Sequence, residues 1–162
     1  MRTIDLAGGC FWGVEAYFKQ LDGVVDTTSG YADGRLPNPT YEMVCNGSGH
    51  TEAVRITYDD SVISLDSLLK HYFNIINPTY VNRQGPDVGI QYRSGIYNFS
   101  AADEAVINAR IRVVEDAYKR PIVVEVKPNV SFYEAEDYHQ DYLDKNKNGY
   151  CHVNLASYKK VT

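Results

Sequence analysis

Thr3-Ile4-Asp5-Leu6-Ala7-Gly8-Gly9-Cys10-Phe11-Trp12-Gly13-Val14-Glu15-Ala16-Tyr17-Phe18-Lys19-Gln20-Leu21 changes its apolar spacing at the glycine pair. Thr3 to Ala7 reads as a short strand. From Cys10 onward, Phe11, Val14, Tyr17, Phe18 and Leu21 recur at three- and four-residue steps, the spacing of one helix face. Gly23 then stops the helix. Downstream, Val24 to Tyr31 and Thr51 to Tyr58 read as strands. In the second, Glu52, Val54, Ile56 and Tyr58 share one face and alternate with Ala53, Arg55 and Thr57. Leu65, Leu68, Leu69, Tyr72, Phe73 and Ile76 form a second helical face, with Pro78 just beyond it. A polar, glycine-rich stretch covers Asn77 to Tyr92. Ser100 with Asp103 and Glu104 opens a third helix through about Tyr118, and Ile122 to Val126 reads as a buried strand. From Phe132 to Thr162 the chain is rich in Tyr, Asp and Asn, with at most one short helix around Glu134 to Asp144. Helices and strands intermix without strict alternation, which predicts an α+β two-layer domain.

The 162 residues fit one domain spanning 1–162, with no repeat, linker or low-complexity tract. A chain this long buries enough surface to fold without a disulfide or metal staple. It is 44% hydrophobic and 23% charged, too apolar for a disordered protein, and no stretch approaches a membrane-spanning run. Sixteen basic against 21 acidic residues give a net charge of −5, which argues against a nucleic-acid partner. The three cysteines, Cys10, Cys45 and Cys151, form an odd, widely spaced set, unlike a secreted disulfide framework. Leu6-Ala7-Gly8-Gly9-Cys10 loosely suggests a lipoprotein cleavage site, but no apolar segment precedes it. The expected location is the cytoplasm, with thiols reduced at rest. Fourteen tyrosines supply an excess of side chains with an apolar body and a hydroxyl tip, a hint of a pocket.

Cys10 is the first candidate for chemistry. The glycines allow a tight turn, and a helix N-terminus aims N–H groups and partial positive charge at residue 10, which favours a thiolate. Phe11 and Trp12 place apolar aromatic surface beside the sulfur. Cys151, in Asn148-Gly149-Tyr150-Cys151-His152, is either a resolving thiol on a mobile tail or an idle exposed one. Cys45 follows Met43 and Val44 and reads as core. Glu52 on an apolar strand face is either a desolvated carboxyl, kept neutral and able to donate a proton, or an edge residue facing water. Asn82 to Ser94 has the composition and length of a functional loop. Asp144 to Gly149 matches the first half of a calcium loop, but the twelfth position is Leu155 where a bidentate Glu is required. A papain-like hydrolase using Cys10, His139 and Asn154 has about the right separations, yet leaves Cys151 and the central loop unexplained. The scattered histidines offer no metal spacing.

Taken together these segments resemble the A-type peptide methionine sulfoxide reductases over nearly the whole chain. Gly8-Gly9-Cys10-Phe11-Trp12-Gly13-Val14-Glu15 resembles that family's active-site signature. Gly49-His50-Thr51-Glu52-Ala53-Val54, the Asn82 to Ser94 stretch, Ala135-Glu136-Asp137-Tyr138-His139-Gln140 and Gly149-Tyr150-Cys151 resemble its other blocks, in order. The resemblance implies a ferredoxin-like sandwich with a mixed sheet, packed helices and a long irregular C-terminal segment. It implies reduction of the S epimer of methionine sulfoxide, free or protein-bound, through a Cys10 sulfenic acid and a Cys10–Cys151 disulfide recycled by thioredoxin. Cys10 would be the nucleophile, Glu52 the acid and Cys151 the resolving cysteine. Tyr41 and Tyr92 would assist at the sulfoxide oxygen, Phe11 and Trp12 would hold the substrate methyl, and Asp87 would lie in the site. No metal or organic cofactor, no membrane and a monomer are implied. Two positions depart from the family's common residues: Pro86, where many members carry Asn, and Asp33, where many have Gly.

Overall fold

In the computed structural model, which describes residues 1–161, β1 (Arg2–Ala7) is a central strand, paired along one edge with Thr51–Tyr58 and along the other with Gly95–Tyr97. Its helix-facing residues Ile4 and Leu6 have no solvent exposure. On the other face Asp5, also fully buried, accepts both Nε–H and Nη2–H of Arg55 at 2.8 and 2.9 Å. α1 (Phe11–Lys19) returns across the sheet, burying Phe11, Val14, Tyr17 and Phe18 as the spacing predicts. β2 (Val24–Ala32) follows, then a five-residue helix α2 (Tyr41–Cys45), β3 (Thr51–Tyr58) and α3 (Leu65–Ile75). Two-residue strands β4 (Arg83–Gln84) and β5 (Asp87–Val88) form a separate hairpin. β6 (Gly95–Tyr97), α4 (Ala101–Tyr118), β7 (Glu125–Lys127), β8 (Phe132–Glu134) and α5 (Tyr142–Lys145) complete the chain.

The main sheet runs β7-β6-β1-β3-β2-β8, antiparallel except where β7 pairs parallel with β6. Its inner order β6-β1-β3-β2, with α1 and α3 as the crossovers, is the ferredoxin-like arrangement, so the expected α+β sandwich is found. α3 is capped by Ser64, which accepts the Ser67 N–H at 3.1 Å, and α4 by a reciprocal capping box of Ser100 and Asp103. The core carries fully buried tyrosines: Tyr17, Tyr31, Tyr58, Tyr72 and Tyr97. A buried phenol is stabilised by a partner for its hydroxyl: Tyr72 donates to Ala7 O at 2.6 Å and Tyr97 to Glu125 at 2.6 Å, whereas the Tyr58 hydroxyl is buried without a partner among the described residues. Neither methionine lies in this core: Met1 is 77% exposed and Met43 is half-buried on α2.

Three expectations need correction. Ile122 to Val126 is not a buried strand. Only Glu125–Lys127 pairs, half-buried, because β6 begins at Gly95, opposite Glu125, and offers Ile122–Val124 no ladder partner. The C-terminal stretch opens with a strand that the sequence reading missed. β8 pairs Phe132 with Ala32, and Gly30 leaves its ring room, since a Cβ there would stand 2.3 Å from Phe132 Cζ. Beyond β8 come 3₁₀ turns at Asp137–His139 and Leu155–Lys160 and the four-residue α5, irregular as expected. Cys45 is exposed, because in the short α2 it is Val44 that faces the core. The two departures from family pattern are accommodated. Asp33 takes a left-handed φ of 56°, a conformation glycine favours and aspartate tolerates, and Pro86 sits in the β4–β5 turn after Gly85.

Candidate active site

The strand-to-helix junction places Cys10 as the residue capping α1, with extended backbone and its side chain 8% exposed. Glu52 begins the helix-facing row of β3, beside Tyr31 of β2, and is 2% exposed. Its Oε1 accepts the backbone N–H of Phe11 at 3.1 Å, so the carboxyl is fixed to the first turn of the helix that Cys10 heads. Burial pushes the Glu52 pKa up to about 8, with Asp87 adding to the rise and the Phe11 N–H opposing it. The carboxyl is therefore mostly protonated at pH 7, and the edge-strand alternative falls. At Cys10 the outcome differs from the thiolate expectation. The N–H of Trp12 does lower the thiol, as a helix N-terminus should. Burial outweighs it, and negative charge on Glu52, Asp87 and Cys151 adds to the rise. The resting thiol keeps its proton.

Tyr92 is held from both sides of this pair. The N–H of Gly9, the residue before Cys10, donates to Tyr92 O at 3.2 Å. The hydroxyl of Thr51, the residue before Glu52, donates to Gln91 O at 3.2 Å and Arg93 O at 2.9 Å. Arg93 anchors the same turn through Glu125 on β7, Ile90 O and Asp33. The Tyr92 phenol is raised by burial and then by charge on Glu52, Asp87, Cys10 and Cys45. Tyr41, at the start of α2, is raised by burial, by a hydrogen bond with the Cys45 thiol, and by Glu52 and Tyr92. Its backbone N–H donates to Glu136 Oε2 at 2.9 Å, while Tyr31 donates to Oε1 of the same carboxyl at 2.8 Å.

Aromatic rings make one wall. The Phe11 ring lies 5.7 Å from Tyr31 and 5.1 Å from His139, and Trp12 stacks on Tyr142 at 3.7 Å with planes 6° apart. Trp12 Nε1–H donates to His139 Nδ1 at 2.9 Å, which fixes that imidazole with its proton on Nε2. Tyr41 and Tyr138 lie 4.7 and 4.2 Å from the same ring. Burial lowers the His139 pKa, so it is neutral. The papain-like arrangement is not assembled: the His139 lone pair is taken by Trp12, and Asn154 caps a 3₁₀ turn by accepting the Ala156 N–H.

The C-terminal segment closes the fourth side. Asp87 Oδ2 accepts the Tyr150 hydroxyl at 2.8 Å, and the Cys151 thiol donates to Val153 O at 3.2 Å. Cys151 rests on α1 one turn beyond Cys10, where a Cβ on Gly13 would stand 3.1 Å from its sulfur. All three cysteines are free thiols. Thus Cys10, Phe11, Trp12, Tyr41, Glu52, Asp87, Tyr92 and Cys151 converge from five separate stretches.

Residues that the sequence reading gave no role hold the frame. Glu15, 1% exposed, accepts from Thr27 and Ser29 hydroxyls at 2.9 and 3.2 Å and from the Asp141 N–H at 2.8 Å. Gln140 exchanges two 2.8 Å bonds with the Ser29 backbone, acting as one more strand residue along β2. A charged or amide side chain inside an apolar helix face, as Glu15 is, was the available signal. Among the described residues no group of three or more His, Cys, Asp or Glu side chains could hold a metal ion, and no helix is long and apolar enough to cross a membrane.

The sequence profile of the family described as peptide methionine sulfoxide reductase matches residues 2–162. A peptide methionine sulfoxide reductase MsrA of Lachnoclostridium phytofermentans is 51% identical over 158 residues, 97% of this chain and 95% of its own. The crystal structure of Mxr1 from Saccharomyces cerevisiae in reduced form superposes with a TM-score of 0.88 at 39% identity, covering 95% of this chain and 90% of that one. The same yeast protein in complex with Trx2 gives 0.62 at 26% identity, covering 87% and 84%.

Proposed function

The chain belongs to the A-type peptide methionine sulfoxide reductases, and from that premise we propose how its residues divide the reaction. It reduces methionine sulfoxide with a cysteine thiol, and the observation that carries the assignment is a buried, protonated Glu52 tied to the first turn of the Cys10 helix. The sulfoxide sulfur meets the Cys10 thiol while its methyl lies against Phe11 and Trp12. Its oxygen faces Tyr41, Tyr92 and Glu52. As the thiol sulfur attacks, Glu52 gives its proton to the oxygen and, now a carboxylate, takes the thiol's proton. Two electrons pass from Cys10 to the substrate sulfur. Methionine leaves and the oxygen stays on Cys10 as a sulfenic acid. Asp87 borders the substrate on the side of the C-terminal segment.

Cys151 then attacks the sulfenic sulfur, water leaves, and a Cys10–Cys151 disulfide remains for thioredoxin to reduce by thiol exchange. The electrons come from thiols throughout, so the cycle calls for no metal or organic cofactor. The substrate is the S epimer, free or in proteins. The working unit is a monomer formed by one domain, residues 1–162, acting in the cytoplasm where thioredoxin keeps thiols reduced. Neither a membrane nor a nucleic acid takes part, in keeping with a net charge of −5. Incubation with methionine S-sulfoxide and dithiothreitol should yield methionine from the protein and none from Cys10→Ser. Cleavage of peptides or esters with the sulfoxide left intact would refute the reading.

A further inference from the structure

His152 carries a half-buried imidazole that the reaction just described does not use. Its ring lies along the strand-to-helix junction, made possible by two missing side chains. A Cβ on Gly9 would stand 2.7 Å from Nε2, and a Cβ on Gly13 would stand 3.4 Å from Nδ1. The second of these points is also 3.1 Å from Cys151 Sγ. The imidazole therefore spans from the residue before Cys10 to the glycine that seats the resolving thiol. At one end Nε2 meets Gly8 O at 3.2 Å. A carbonyl oxygen only accepts, so Nε2 carries the proton and Nδ1 presents a lone pair. That Nδ1 is buried and has no hydrogen-bond partner among the described residues. A buried acceptor without a donor is costly unless a step in the working cycle supplies one.

We propose that His152 is the proton acceptor of the resolving step, its Nδ1 taking the Cys151 thiol proton as the sulfur attacks Cys10. The inference rests on the reading of Cys151 as the resolving cysteine. In the resting arrangement that thiol donates to Val153 O; on approach to Cys10 it turns its proton to Nδ1. The S–S bond forms, the S–O bond of the sulfenic acid breaks, and the leaving hydroxide takes a proton back from the imidazolium, so that water departs. Cys151 sulfur is oxidised and Cys10 sulfur reduced by the same electron pair. The Gly8 carbonyl orients the base, as a third group does in other nucleophile–base pairs. The charged group acting on the ring is Asp87 on β5, and the Cys151 thiol lies with it around Gly13. Burial lowers the imidazole pKa and Asp87 pulls it upward, with burial the larger effect, so the base form is present at neutral pH.

The test is a single turnover without reductant, followed by methionine release, dimedone trapping of sulfenic acid and mass-spectrometric detection of the Cys10–Cys151 disulfide. His152→Gln should release about one methionine per enzyme, which shows a folded site. Its disulfide should then form about 100-fold more slowly, the lower end of what a positioned base contributes, and sulfenic acid should accumulate. The wild-type rate of disulfide formation should fall with pH through a value below 6.5, and the variant should lack that inflection. Imidazole in solution should speed disulfide formation in His152→Gly and leave the wild type unaffected. Equal rates and pH profiles for wild type and His152→Gln would overturn the proposal while leaving Cys151 in its role. Absence of a Cys10–Cys151 disulfide in the wild type would overturn both.

Discussion

Cys10 stands at the end of a central strand paired with β3 over six positions, Arg2↔Tyr58 through Ala7↔Ala53. Cys151 stands between α5, which ends at Lys145, and a 3₁₀ turn that begins at Leu155, with no strand or helix between. The first cysteine is placed by apolar packing and a hydrogen-bonded ladder. The second packs half-buried beside Val153 against the same core, but in place of a ladder its segment is tied by individual polar contacts: Tyr150 on Asp87, His152 on Gly8, and, at the root of the segment, Glu15 on the Asp141 N–H and Gln140 on Ser29. The difference follows the order of the reaction. In the proposed reaction the attacking sulfur and its acid must hold a fixed geometry, whereas the sulfur proposed to resolve must travel, and contacts that break one at a time permit that.

The largest effect expected separates the two cysteines. Cys10→Ser should release no methionine in a first turnover, since a hydroxyl is far less nucleophilic than a thiolate. Cys151→Ser should release about one methionine per enzyme and stall when thioredoxin is the only reductant, with dithiothreitol restoring turnover. Normal turnover of Cys151→Ser with thioredoxin would erase the contrast between the regions. Glu52→Gln comes next and should slow sulfenic acid formation by ~10²–10⁴-fold, read by rapid quench. The wild-type rate should fall as pH rises through about 8, because the proton-donating form is lost there. Stability should also fall with rising pH, over a window that opens lower. The folded state holds a Glu52 proton between the ordinary 4.5 and about 8 that the unfolded chain lacks, so stability drops as pH rises through that window. Glu52→Gln escapes this and should be more stable at pH 7 by up to ~3 kcal/mol at about 1.4 kcal/mol per unit.

The smallest effect sharpens the boundary between the regions. Glu15→Ala leaves Thr27, Ser29 and the Asp141 N–H without their shared acceptor and should cost about 2–4 kcal/mol in denaturant unfolding. Hydrogen exchange should rise in residues 140–153 more than in β1 or β3. Uniform loss of protection would mean that the segment is part of the rigid core.

The same division decides how much the sequence discloses. β1, α1, β2, β3, α3 and α4 are long enough for their periodicity to show, and Cys10 and Glu52 lie on them in telling surroundings. β6 and β8 have three residues each and exist because β1 and β2 offer them edges, a tertiary cause that no local pattern carries. Tyr41, Tyr92, Asp87 and Cys151 sit on short or irregular pieces; local sequence marks Cys151 as one of two alternatives and Asn82 to Ser94 as a functional loop, and only the family resemblance gives Tyr41, Tyr92 and Asp87 their roles. Glu15, Gln140 and His152 act through partners up to 144 residues away. Cys45 was misread because five residues of helix give too little pattern to tell the inward position, Val44, from its neighbour.

The tyrosine-filled core has a chemical consequence of its own. Oxidants that turn thioethers into sulfoxides disrupt proteins by planting a polar group among packed side chains. Here the large buried volumes are phenols and phenyl rings, and the chain's two methionines lie outside them. An oxidative burst that damages a methionine-rich interior would find its thioether targets here only at Met1 and Met43, where a sulfoxide reaches water or the edge of a five-residue helix. The interior that keeps Glu52 protonated and Cys10 in place thus resists the lesion whose repair depends on it.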